Sequence, residues 1–245
     1  KSQFHRGGCV LKTDVTARLY KVLSGHPLKR KWLLAKSFAM GHQFIERICS
    51  DFGAVLHTEV STIEALAARQ AGFALFRNRW RYVTRGETFW AVQSIMERLA
   101  DRADAYIGKE MMRPGIVHEL HAAVCELRNA CIAAASLKPE QFVSKAKGNY
   151  IQDLLAAFEK WLDENKAVDF AGLLPYISPM EEDVLVIVPA DLPLAPVEVK
   201  MLRKMADHRL VVLADEEPLA ASFAWGAAAD GEKQFVAENR NGGDG

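Results

Sequence analysis

The fold is decided by two similar stretches of sequence, KWLLAKSFAMGHQ (residues 31–43) and DVLVIVPADLPLAP (residues 183–196). Each begins with a short, continuous aliphatic run and passes through a turn into a segment whose apolar residues have helical spacing. An uninterrupted aliphatic run of this length indicates a strand that is buried on both faces, as in parallel sheets. We therefore expect these two stretches to supply two strands of one parallel sheet.

The rest of the chain divides around these two stretches. Further strands are predicted at residues 55–60 and 209–214, and the long segment between the second strand and residue 176 is patterned almost entirely as helix. The predicted helices lie at residues 15–23, 44–52, 63–70, 88–103, 115–135, 139–146, 149–165 and 196–206. Strands with helical crossovers at both ends of the chain, separated by helices alone, predict an α/β fold whose parallel sheet is interrupted by an all-helical inserted subdomain.

This organisation predicts four segments. Residues 1–75 and 179–226 form the first and second parts of the α/β domain, and residues 76–178 form the helical insertion. Residues 227–245 have no periodicity and are rich in polar residues and glycine, which is typical of a linker or a disordered tail.

Both aliphatic strands end where nucleotide-binding proteins carry their phosphate and magnesium ligands. A phosphate-binding loop ends in Gly-Lys-Ser/Thr, and the strand that holds the metal ends in Asp-Glu. The corresponding residues here are Gly41-His42-Gln43 and Pro189-Ala190. A histidine is mostly neutral at pH 7 and shorter than lysine, and neither glutamine, proline nor alanine is a good magnesium ligand. We predict a nucleotide site reduced to remnants: Lys36, Gly41, His42, Gln43, Pro189, Ala190, Asp191 and Asp215.

Simpler interpretations of the two aspartates stay open. Asp191 is followed by Leu192-Pro193, a sequence that favours a local turn or a helix cap. Asp215 stands beside Glu216 and Glu217, as a solvated acid at the end of a strand would.

A basic and aromatic stretch, FRNRWRYVTR (residues 76–85), is the best candidate for a nucleic-acid contact. Arginine pairs with phosphate groups, and tryptophan and tyrosine rings stack on bases. The candidate DNA-binding residues are Arg77, Arg79, Trp80, Arg81, Tyr82 and Arg85. The alternative is an amphipathic connector whose aromatic rings belong to the core.

Composition excludes little. Lysine and arginine together number 31, as do aspartate and glutamate, so net charge gives no argument for a nucleic-acid or membrane partner. The four cysteines contain no CxxC pair, which favours a reduced, cytoplasmic compartment without a metal site. No apolar run is long enough to span a bilayer. Because the sequence starts at Lys1 and ends in a polar, glycine-rich segment, we expect a piece of a longer polypeptide.

The order of these segments resembles the N-terminal region of UvrD/Rep/RecB-type helicases, and most closely the AddB-like PD-(D/E)XK nuclease proteins. Residues 31–43 resemble the Walker A strand and loop, and residues 60–67 resemble the Thr-x-x-x-Leu-Ala segment. Residues 168–174 resemble the Asp-Phe-x-Asp-Leu-Leu segment, with Gly172 in place of its second acid. Residues 186–206 resemble the Walker B strand and its following helix, and residues 209–218 resemble the next strand, with Ala214-Asp215 in its Gly-Asp position.

The resemblance covers about residues 12 to 225 and implies a P-loop NTPase (RecA-like) fold, a role in double-strand-break repair, and a partner helicase subunit. The helicase C-terminal half and the exonuclease domain of such proteins lie outside this sequence. The first hypothesis is therefore a helicase-like domain without ATPase activity that acts as a DNA-binding or assembly scaffold, with no catalytic residue and no cofactor of its own. A second hypothesis is a divergent but active P-loop ATPase that uses ATP and Mg²⁺. A third is a purely structural domain that supports a downstream nuclease domain.

Overall fold

The computed structural model of the chain describes residues 13–102, 105–180, 184–189, 192–206 and 209–213, with side chains from residue 16 onward. The helices and strands follow in chain order: α1 (Thr13–Gly25), β1 (Arg30–Leu34), α2 (Phe38–Asp51), β2 (Thr58–Ser61), α3 (Ile63–Asn78), β3 (Arg81–Tyr82), α4 (Arg85–Ala100), α5 (Pro114–Asn129), α6 (Lys145–Glu164), β4 (Ala167–Val168), β5 (Val184–Pro189), α7 (Pro196–Ala206) and β6 (Leu210–Leu213). Short 3-10 helices lie at Lys109–Met111, Ala134–Ser136, Pro139–Gln141 and Ala171–Tyr176.

The chain divides into two compact units. The first contains residues 1–63, 180–193 and 206–245, and the second contains residues 64–179 and 194–205. The helical unit thus begins near residue 64, whereas the sequence placed this boundary after residue 75, and the segment that carries α7 belongs to the helical unit. Residues 227–245, predicted as a linker, lie outside the described residues.

The first unit contains a four-stranded, wholly parallel sheet with the order β2-β1-β5-β6. Strand β1 is central, because Leu33 lies opposite Val60 of β2 on one side and opposite Ile187 of β5 on the other. All six residues of β5 are buried, as its aliphatic sequence predicts. The predicted α/β fold with a parallel sheet is confirmed.

Helices α1 and α2 pack together and cover the sheet of this unit. Leu19 and Leu23 of α1 join Phe44 and Ile48 of α2 in one buried cluster, which also includes Leu33 and Ile187 from the sheet. Apolar residues three or four apart lie on one face of a helix, so each helix brings one stripe to the strands.

The helical unit is built around α6, whose apolar face is buried against α4 and α5. Leu154, Leu155 and Phe158 of α6 are at most 2% exposed, and Val92 and Val124 from the two neighbouring helices are fully buried beside them. Within the described part of the chain, no helix is long and apolar enough to cross a membrane.

Three details of this unit differ from the sequence-based expectation. Helix α3 continues to Asn78 instead of ending at Gln70, and β3 pairs in parallel with β4 inside a segment that was expected to be all helical. Residues 139–146 were predicted as a helix but form only a 3-10 turn before α6 begins after its Ser144 cap. The turn can lie this close to α6 because residue 148 is glycine. A Cβ atom there would come within 2.6 Å of the carbonyl oxygen of Pro139.

A half-buried ion-pair network links α5, α6 and the end of β4. Arg128 donates to both carboxylate oxygens of Asp169 at 2.9 and 2.8 Å, and it lies 3.5 Å from Glu159. Asp169 also accepts the backbone N–H of Gly172, and Glu159 accepts that of Ala134. Each carboxylate therefore accepts a backbone hydrogen bond from a loop as well as pairing with Arg128.

We expect Asp169→Ala to destabilise the protein by about 3 kcal/mol, because removing one partner leaves the Arg128 guanidinium largely buried without its bidentate acceptor. Asp153→Ala removes the partner of Arg102 in a pair whose side chains are both more than half exposed, and it should cost less than about 1 kcal/mol. Urea unfolding measures both changes. Equal effects of the two substitutions would show that the Arg128 network is no more important than a surface pair.

Candidate functional site

A small crevice opens at the carboxyl ends of β1 and β5. These two strands are the point at which the sheet order changes direction, since the chain continues from β1 to β2 on one side and from β5 to β6 on the other. Ligands of open parallel α/β sheets bind outside the carboxyl ends of the strands at such a point. The crevice has a volume of about 180 Å³ and is lined by Ala35, Lys36, Met40, Phe44, Pro189, Leu192 and Pro193.

The described lining of the crevice offers few groups that could bind a polar ligand. Lys36 supplies the only charge among the described lining residues, and the remainder are apolar. The volume is also below the roughly 300 Å³ at which ligand pockets usually begin. As it stands, this crevice has room for a small anion beside Lys36 but not for a whole nucleoside triphosphate.

The connection between β1 and α2 is too short to wrap around phosphate groups. Only Ala35, Lys36 and Ser37 separate the strand from the helix, which begins at Phe38 rather than at Phe44 as the sequence predicted. The hydroxyl of Ser37 accepts the N–H of Met40 at 3.2 Å, and its carbonyl accepts that of Gly41 at 3.1 Å. A phosphate-binding loop leaves several N–H groups free for the ligand, whereas here the Ser37 cap uses that of Met40, and that of Gly41 makes the first ordinary bond of the helix.

Gly41 has a packing role in this arrangement. A Cβ atom at residue 41 would lie 2.2 Å from Cγ1 of Val60 and 3.1 Å from Cβ of Ala35, so only glycine lets α2 approach β2 this closely. His42 and Gln43 follow on the exposed side of the helix and do not line the crevice. Of the predicted remnants, Lys36 and Pro189 line the crevice, while Ala190, Asp191 and Asp215 lie outside the described residues.

The basic and aromatic stretch does not form one surface. Trp80 is half-buried with its ring 6.3 Å from that of Tyr176, and the hydroxyl of Tyr82 donates to Glu64. Arg81 is paired with Glu87 at 2.6 Å. Trp80 and Tyr82 thus serve the packing of the helical unit, as in the alternative interpretation of the stretch as a connector, whereas the paired Arg81 side chain is 51% exposed.

Arg77, Arg79 and Arg85 are exposed as well. Arg77 and Arg79, at the end of α3, form no ion pair with the described part of the chain. Arg85 is the first residue of α4, and its charge helps to lower the pKa of the buried His121.

Two exposed phenylalanines lie beside these arginines and were missed by the sequence analysis. Phe73 and Phe76 of α3 are 78% and 83% exposed. The buried stripe of this helix consists of Ile63, Leu66, Ala67, Ala71 and Leu75, and neither phenylalanine falls on it. The signal was present in the sequence, but it becomes visible only when the helix is extended beyond Gln70.

His121 and Cys125 form the one buried histidine and cysteine contact that the described residues contain. The Nε2 atom of His121 is 2.9 Å from the hydroxyl of Thr88 and 3.5 Å from the sulfur of Cys125. Burial raises the pKa of the Cys125 thiol and lowers that of His121, so both groups are favoured in their neutral forms. A neutral thiol is a weak nucleophile, and the arrangement is therefore structural.

His118, one turn before His121, is exposed. No group of three or more histidine, cysteine, aspartate or glutamate residues in the described ranges is arranged to hold a metal ion.

The comparisons with known proteins add no assignment to this geometry. No protein-family model matches the chain, and no curated protein matches it. What the chain can do must therefore be argued from the crevice and from the exposed end of α3.

We expect Gly41→Ala to destabilise the protein by about 1–3 kcal/mol, because the new methyl group overlaps the side chain of Val60. In the double variant Gly41→Ala/Val60→Ala the overlap is removed, so the combined cost should be smaller than the sum of the two single costs. Gly72→Ala is the matched control, since nothing lies within 4 Å of a Cβ atom there, and it should stabilise α3. Additive costs in urea unfolding would refute the close contact.

We expect the stability of the protein to fall as the pH decreases through 6.5 and below, in part because of His121. Burial, then the nearby charges of Arg85 and His118, keep the pKa of folded His121 below its ordinary value of 6.5. At these pH values the unfolded chain therefore binds a proton at His121 that the folded chain does not bind. Acidification thus favours unfolding, by at most about 1.4 kcal/mol per pH unit.

His121→Gln should flatten this pH dependence, whereas His118→Gln, at an exposed position on the same helix, should leave it nearly as steep as in the wild type. Urea unfolding at a series of pH values gives the comparison. The same slope in all three proteins would place the relevant titration elsewhere.

Proposed function

We propose that this chain is the N-terminal, helicase-like region of an AddB-like PD-(D/E)XK nuclease or a related UvrD/RecB-type repair protein. In this proposal it binds DNA or holds an assembly together, and it does not hydrolyse ATP. The finer fold that goes with the proposal is a RecA-like P-loop domain with a helical insertion. The observed four-stranded parallel sheet is compatible with it, and the ordered set of sequence segments supports it.

The observation that carries the proposal is the crevice at the carboxyl ends of β1 and β5. Hydrolysis of a nucleoside triphosphate needs backbone N–H groups around the phosphates, a magnesium ion with its ligands, and a group that orients the attacking water. The described lining offers Lys36 and six apolar side chains, and the connection before α2 is only three residues long. Among the described residues, neither a phosphate loop nor a set of metal ligands is in place there.

The DNA-binding part of the proposal is supported by local charge. The chain as a whole is neutral, but between Glu64 and Glu87 it has five arginines and no carboxylate. A positive region on a neutral protein attracts phosphate groups over a short range without making the whole protein a nonspecific polycation binder. The same proposal implies a partner helicase subunit and a downstream nuclease domain.

The test is calorimetric titration of the chain with Mg-ATP and with a non-hydrolysable analogue. We expect no heat of binding and no hydrolysis, with or without single-stranded DNA, because the crevice cannot hold the triphosphate. Micromolar binding that is lost in Lys36→Ala would overturn the inactive-site part of the proposal and favour the divergent ATPase. Arg98→Ala, at an exposed position on α4, is the matched loss of charge and should have no effect.

A further inference from the structure

We infer that the exposed end of α3 is a contact site for single-stranded DNA, in which Phe73 and Phe76 stack on bases while Arg77 and Arg79 bind the flanking phosphates. This inference rests on the DNA-binding role proposed above and specifies its surface. We call these four residues the α3 face. It differs from the surface that the sequence predicted, because Trp80, Arg81 and Tyr82 are engaged within the protein.

The two phenylalanines have the geometry of a stacking platform. They are three residues apart on one helix, so their side chains are neighbours on the same side of it. Both are about four-fifths exposed, whereas most large apolar side chains of the helical unit are buried. Aromatic rings that face the solvent beside cations are the arrangement with which proteins bind single strands, because every base has a face on which a ring can stack.

The two arginines are available for phosphate groups. Neither has an ion-pair partner in the described part of the chain, in contrast to Arg81, which is neutralised by Glu87. With no carboxylate between Glu64 and Glu87, the α3 face has no acidic residue of its own segment to repel a phosphate backbone. Its charge is thus complementary to a nucleic acid.

Arg79 is also an arginine in a position that favours glycine. Helix α3 ends in a Schellman motif, in which the N–H of Trp80 bonds to the carbonyl of Leu75 and the N–H of Arg79 bonds to that of Phe76. The residue after the cap in this motif has a left-handed backbone, and Arg79 has φ +59°. Because side chains strain this conformation, glycine would be more stable there.

The experiment measures binding of the whole chain to a labelled oligothymidine of about 15 nucleotides, from about 50 to 200 mM salt. Phe73→Ala and Phe76→Ala should each weaken binding about tenfold and leave the salt dependence unchanged, since they remove stacking but no charge. Arg77→Gln combined with Arg79→Gln should reduce the slope of log K against log salt by about 1.4, because two phosphate groups are no longer neutralised.

The controls are Trp90→Ala and Arg98→Gln, which remove an exposed ring and an exposed cation from α4. They should bind as the wild type does. Arg79→Gly gives a separate readout: the variant should melt about 2–4 °C higher, because the left-handed residue is relaxed, and yet bind the oligonucleotide more weakly. A merely structural Arg79 would give the gain in stability without the loss of binding.

The outcomes separate the two proposals. If the wild type binds the oligonucleotide and the α3 variants bind as tightly as the controls do, the α3 face is wrong and the DNA-binding role stands. If the wild type does not bind at any salt concentration, the DNA-binding role itself fails, and the α3 face with it. A matched duplex or an oligouridine that binds more tightly than oligothymidine would overturn the assignment to single-stranded DNA. A change of oligomeric state in Phe73→Ala, seen by sedimentation without any change in DNA affinity, would make the face a self-association surface and overturn the inference.

Discussion

The central strand β1 is the constraint on which the α/β unit depends. A strand in the middle of a parallel sheet must satisfy its backbone N–H and carbonyl groups on both edges, because water cannot reach them. β1 does so between β2 and β5, and Leu33 and Leu34 at its centre have no exposed surface. Its position determines where the crevice lies and where α2 starts. Lys31, near the beginning of β1, is buried as well, and its ammonium donates to the carbonyls of His26 and Lys29. Burial lowers the pKa of this lysine.

The ends of the buried strands determine what the sheet can bind. Backbone geometry alone gives a parallel sheet a crevice at its switch point, but the side chains at the strand ends decide whether that crevice holds phosphate and metal. Here β5 ends in Pro189, which has no acidic group and no backbone donor, and α2 starts so early that its cap takes up the N–H of Met40. Helix α2 can lie this close to β2 because Gly41 has no Cβ atom, which would overlap the side chain of Val60. The close packing of α2 against β2 thus accompanies the short connection at the end of β1.

In the helical unit, buried contacts and exposed groups are divided along a single stretch of sequence. Trp80, Arg81 and Tyr82 have partners within the protein, whereas Arg77 and Arg79 form no ion pair with the described part of the chain. The division follows from the end of α3, since the chain reverses there in a left-handed turn and residues on its two sides face different surroundings. Arg79 and Arg81, only two residues apart, can therefore differ in whether they form an ion pair within the described part of the chain.

The sequence by itself determined the four strands of the larger sheet, their parallel arrangement and most of the helices, because aliphatic runs and helical spacing are local signals that burial enforces. It also predicted, from residue identity alone, that the ends of β1 and β5 lack the usual phosphate and metal ligands. Only the tertiary structure decided that α2 begins at Phe38, that Gly41 is a packing residue, and that β3 pairs with β4. It alone showed Phe73 and Phe76 to be exposed and Trp80 to be engaged. The physical reason is that the exposure and the contacts of a side chain depend on residues distant in sequence. The apolar pattern that predicts a helix or a strand lies within the segment itself.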